Sequence, residues 1–116
     1  MINFSDPFFL ILFLDGFIFI LAGTFMSIKP PKKINDFYGY RTKASKQNQQ
    51  VWDFAQKYSA RTMRLFGLGM IILSFGGWFL PLGVAVGAVL SILLLLIFSY
   101  LLIYDTEKAI KNKFKT

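Results

Sequence analysis

Apolar and polar residues follow one another in blocks along this chain. Residues 8–28 are apolar almost throughout, 29–64 are polar and basic, 65–80 and 82–104 are apolar again, and 105–116 return to polar. A helix of about 20 apolar residues crosses a hydrocarbon core of roughly 30 Å. The pattern therefore predicts three membrane-spanning helices over residues 8–28, 65–80 and 82–104, in one membrane domain covering 1–116. Asp6 and Pro7 supply a helix start, a capping side chain followed by a proline whose missing N–H costs nothing in the first turn. Pro30 and Pro31 end that helix, and Pro81 with Gly83 makes a tight turn between the last two spans.

The polar block has its own pattern. Residues 32–44 read as irregular, with Gly39 permitting a turn, and Ser45 reads as the cap of a further helix. In it Val51, Phe54, Ala55, Tyr58 and Thr62 follow helical spacing, with Trp52 and Met63 at the edge of the stripe and Lys57, Arg61 and Arg64 along a basic edge. This predicts an interfacial amphipathic helix, apolar side toward lipid or the bundle; a solvent-facing linker helix is the blander alternative. Trp52 and Tyr58, residue types of the membrane–water boundary, favour the interfacial form. No proline or glycine separates Ser45 from Leu65, so the helix is expected to enter the second span directly, with a bend at Gly67 or Gly69. The tail 105–116 reads as a short helical extension that frays. The predicted class is an all-α membrane protein with three transmembrane helices and a cytoplasmic amphipathic helix between the first two.

Composition narrows the chemistry. The chain is 116 residues long and 55% hydrophobic, with neither Cys nor His. Thiol nucleophiles, imidazole bases and the usual zinc sites are thereby excluded. No catalytic residue, cofactor or metal site is predicted, and the chain does not read as an enzyme. The net charge of +7 comes from thirteen Lys and Arg residues, all within residues 29–64 and the tail. Beside membrane spans such charge faces anionic lipid headgroups rather than nucleic acid. The same distribution predicts an N-terminus outside and both basic regions in the cytoplasm. The opening MINFSDP lacks a basic n-region and reads as leading into a retained first span.

At residues 35–52 the sequence becomes specific. Asn35, then Gly39-Tyr40-Arg41-Thr42, then Asn48 and Trp52 are polar and aromatic identities at fixed spacing in a loop. This signature resembles that of the SdpI family of bacterial integral membrane proteins, of which the chain looks like a short, three-span member. The resemblance implies a role in immunity to a secreted peptide toxin and in holding a transcriptional repressor at the membrane. A protein or peptide partner is what it leads us to expect. An accessory subunit of a larger membrane complex, or a homo-oligomer, is the alternative reading.

Two charged residues carry two readings each. Asp15 is the one acid inside an apolar block. It is either a proton, cation or peptide-contact site, or a protonated carboxyl hydrogen-bonded to a neighbouring helix. Arg41 either pairs with a lipid phosphate or a partner carboxylate, or fixes the loop through carbonyls, Asp36 or Asp53, completing a polar knot with Asn35, Thr42 and Asn48. Gly83, Gly87 and Ser91 on the third span, and Gly69 and Gly76 on the second, are small residues that let helices approach.

Overall fold

A computed structural model describes residues 5–114. Among the described residues the regular structure is all helical: α1 (Pro7–Ile28), α2 (Gln49–Ser74), a 3-10 turn (Phe75–Trp78) and α3 (Val84–Phe114). α1 starts as its sequence dictates, with the Phe9 N–H donating to Asp6 Oδ2 at 3.0 Å. It closes with the Lys29 N–H on the Phe25 carbonyl at 2.8 Å, just before Pro30.

α2 begins three residues later than expected. Its cap is Asn48, whose Oδ1 accepts from the Val51 N–H at 2.9 Å. Ser45 is instead wholly buried in the loop. The helix then runs unbroken through Gly67 and Gly69. The helix of the polar block thus continues directly into the second apolar block, with no break at either glycine, as one rod of about 39 Å. The second apolar block becomes its last ten residues, 65–74, and the 3-10 turn. Asp53, Lys57, Arg61 and Arg64 occupy the other half. α1 and α3 are the two helices long and apolar enough to cross a membrane.

Most of the large apolar side chains on those two helices face outward, including Leu14, Ile18, Leu21 and Phe25 of α1 and Leu93, Leu96, Ile97 and Leu101 of α3. Water would penalise such a surface; lipid does not. This is a membrane protein. Its longest dimension is 51 Å, so about 20 Å of it extends beyond a hydrocarbon core of roughly 30 Å.

Small residues set the helix packing. α1 and α2 run antiparallel and meet at Gly16 against Gly67 and at Gly23 against Ala60. A Cβ on Gly16 would lie 2.6 Å from the Gly67 carbonyl oxygen, and one on Gly23 2.6 Å from that of Ala60. Gly77 packs on Asp6 and Phe8, and Gly87 on Phe8. Ser91 is wholly buried. A Cβ on Gly69 would make ordinary contact with Phe98 of α3, and one on Gly76 or Gly83 would meet nothing within 4 Å. Gly83 serves the turn before α3, at φ +80°. Spacing along one helix could not tell which of its stripes faces a partner.

Two apolar clusters result. Phe8, Leu12 and Met70 form one, with Phe19, Leu82, Leu94 and Phe98 around it. Val51, Ala55 and Ile110 form the other, at the basic end, with Tyr40, Ala44, Phe54 and Phe114. The second explains why α3 stays helical to Phe114 instead of fraying from residue 105. Ile110 is buried, and the Phe114 ring sits 5.6 Å from that of Phe54.

Candidate functional site

The loop between α1 and α2 is folded back onto α2 and α3 by its own side chains. Asn35 turns the chain: its Oδ1 accepts from the N–H groups of Phe37 and Tyr38, both at 2.8 Å, and its Nδ2 donates to the Lys33 carbonyl. Gly39 follows at φ +100°, where any side chain would be strained and would also strike Pro31 and Gln56. Only then can the backbone of Tyr40 lie against α2. Its N–H donates to Gln56 Oε1 at 2.7 Å and its carbonyl accepts from Gln56 Nε2 at 2.8 Å, so one buried amide satisfies both.

Tyr40 and Thr42 then reach α3. Both hydroxyls donate to Glu107 Oε2, at 2.8 and 2.9 Å. Burial first, then the hydrogen bond to Glu107 and its charge, pushes the Tyr40 phenol well above its usual range. Ser45 closes the turn, its Oγ accepting from the Thr42 N–H at 2.8 Å. Trp52 is not at the edge of the α2 stripe but at its centre, fully buried, and its Nε1–H donates to the Pro31 carbonyl at 2.7 Å. Tyr38 donates to the Lys29 carbonyl at 2.7 Å and packs on Phe25. Further along α2, Tyr58 donates to Asp105 Oδ2 at 2.8 Å, and this bond chiefly raises its pKa.

A polar knot therefore exists, with Asn35, Gly39, Tyr40, Thr42 and Trp52 in it and Asn48 capping the helix beneath. Arg41 is outside it. Its side chain is exposed and has no hydrogen-bond or ion-pair partner among the described residues. Asp36, one acid offered to it, pairs with Lys46 at 2.8 Å; that hydrogen bond and charge chiefly lower the Asp36 pKa, and the charge of Arg41 adds a smaller pull. Asp53, the other, accepts from Gln49 Nε2. The knot is completed by Gln56 and Glu107, which the sequence did not single out. Their partners are 16 and 65–67 residues away, and a lone Gln or Glu on a helix carries no local mark of such a role. Phe37, beside the knot, is 92% exposed. Asp15 lies apart, within α1; its Oδ2 is enclosed and has no hydrogen-bond partner among the described residues.

The family model of the SdpI/YfhL proteins matches residues 32–104, from the loop through α2 and most of α3. The chain belongs to the SdpI/YfhL family. Among SdpI/YfhL relatives, the Uncharacterized protein YfhL of Bacillus subtilis (strain 168) is 47% identical over 53 residues. That stretch is 46% of this chain and 48% of the relative, so the similarity spans about half the length of each. No solved structure is significantly similar.

Proposed function

We propose that this SdpI/YfhL protein is a small, non-enzymatic binding protein of the immunity type in the bacterial inner membrane. It engages a peptide or protein partner through the loop at its basic end. The observation that carries this reading is the division of labour within the signature. Arg41 and, four residues before it, Phe37 are both exposed, while the signature neighbours Gly39, Tyr40 and Thr42 are held in the knot. Exposed aromatic and Arg side chains on a rigid support are the types that dominate interface energetics. Lys32, Lys33 and Lys43 surround them in sequence, so the matching partner is acidic with an apolar pocket.

The same reading takes residues 65–74 and the 3-10 turn as a third crossing, completing three spans. The Lys and Arg distribution then puts the loop and C-terminus in the cytoplasm and the N-terminus outside. The test is co-purification from mild detergent. Phe37→Ala and Arg41→Ala should each release the partner, with proteolysis of the loop unchanged. Retention of the partner by both variants rejects the loop as its site.

An accessory subunit of a larger membrane complex is the second reading. It is favoured by a shallow apolar groove on the outer face of α3, lined by Ala85, Val86, Val89, Leu90 and Leu93. A stoichiometric membrane partner lost on Val89→Trp, and not on Phe37→Ala, selects it.

A further inference from the structure

The Tyr38–Tyr40 corner of the loop also forms the end wall of a second feature. At the far end of the bundle α1 and α3 touch, Phe8 against Gly87. At the basic end they part, and a groove of about 380 Å³ opens between them. Ala22 and Met26 form one wall, Leu102 the other and Met63 the floor, with Tyr38 and Tyr40 closing the end. Tyr40 is fixed there by Glu107 and by the Ile103 carbonyl, 3.3 Å from its hydroxyl.

Lys29 borders this groove without lining it. It is the C-cap of α1, three residues past Met26, and its backbone lies beside the end wall. The Lys29 carbonyl accepts from the hydroxyl of Tyr38, which ties the residue to the end wall. Lys29 is also the first basic residue after the apolar block, the level at which a bilayer changes from acyl chain to headgroup. Its side chain is exposed, with no ion pair among the described residues. An apolar slot thus has a cation without an ion pair next to its end wall, the complement of one molecule: a lipid with a chain and a negative phosphate.

We infer that the α1–α3 groove holds an acyl chain of one anionic phospholipid whose phosphate pairs with Lys29. The site does not depend on which side of the membrane the basic end faces, nor on the loop's partner.

The full chain, purified in mild detergent, is titrated with phosphatidylglycerol and with phosphatidylcholine of the same chains, and bound lipid is counted by native mass spectrometry. One phosphatidylglycerol should bind in preference to phosphatidylcholine. Lys29→Gln should weaken it about five-fold, the effect of one basic residue at a membrane surface, and Lys29→Arg should restore it. Lys32→Gln, with the same net charge change, should leave it alone. Met63→Trp should block it by filling the floor. A phosphatidylglycerol with a photoreactive group in mid-chain should label the segments holding Ala22–Met26 and Met63 in the unmodified protein, a readout that needs no variant to fold. Equal binding of the two lipids, equal loss in Lys29→Gln and Lys32→Gln, or labelling confined to the outer face of α3 overturns the site.

Discussion

The Gly67 carbonyl oxygen stands 2.6 Å from where a Cβ on Gly16 would begin, and the Gly16 carbonyl oxygen 2.5 Å from the same point on Gly67. The two backbones touch, each glycine admitting the other. Valine at either position must push the helices apart or distort them, at a cost of roughly 1–3 kcal/mol. Thermal unfolding in detergent should show this for Gly16→Val and for Gly67→Val. The double variant should fall short of their sum, because both damage one contact. Gly76→Ala, which meets nothing within 4 Å, is the matched control and should melt near the parent.

Trp52 holds the start of the loop by one hydrogen bond and a buried ring. Trp52→Phe keeps most of the ring but leaves the Pro31 carbonyl without its donor, a loss of about 1–3 kcal/mol. Limited proteolysis between Lys32 and Lys46 should accelerate in that variant while the helices stay protected. Arg41→Lys should leave the cleavage rate unchanged, because Arg41 is outside the knot; faster cleavage would put it back in.

The raised Tyr40 pKa sets a sign for alkaline stability. The folded protein holds this proton more tightly than the unfolded chain, whose phenol titrates near 10.0. The stabilisation is complete below that pH and is lost as pH climbs through the folded value. Melting temperature should therefore fall more between pH 9 and pH 11 in the parent than in Tyr40→Phe. Identical slopes would mean that the Tyr40 phenol does not govern the transition.

Asp15 places a carboxylate oxygen in an enclosed position without a partner among the described residues. Replacement by leucine removes that desolvated group, so Asp15→Leu should be more stable than the parent by on the order of 1–3 kcal/mol and melt at a higher temperature. A lower melting temperature would reveal a partner that the carboxylate needs. Loss of the biological phenotype in a stabilised Asp15→Leu would mark the residue as functional.

The chain has no cysteine of its own, so single cysteines report sidedness directly. Lys46→Cys should resist impermeant thiol reagents in intact cells, and Leu80→Cys, at the opposite end, should react. The reverse pattern would invert the proposed orientation.

The blocks of apolar residues made the helices legible, and Asp6 with Pro7 marked the start of α1 to the residue. The signature loop was legible as a unit, yet the roles inside it were not. Asn35 and Gly39 act locally, through an Asx turn and a positive φ, and such roles can be read from a few neighbours. Tyr40, Thr42 and Trp52 act through Gln56, Glu107 and Pro31, and no local pattern pairs residues so far apart. The helix seam shows a signal that was present and passed over. Gly16 and Gly23 are seven residues apart, as are Ala60 and Gly67, so both helices carry a small residue every second turn on one stripe. Matching the two spacings across helices, rather than ranking glycines along each one, would have found it.

α3 packs on Phe8 through Gly87 at one end and carries Glu107, the anchor of Tyr40 and Thr42, at the other. Twenty residues of unbroken helix separate the two points, about 30 Å. No hinge lies between them, so a tilt imposed where α3 meets α1 is delivered to the loop as a displacement of its anchor. The two faces of the bilayer are in this way joined by a stiff lever rather than by a chain of separate contacts.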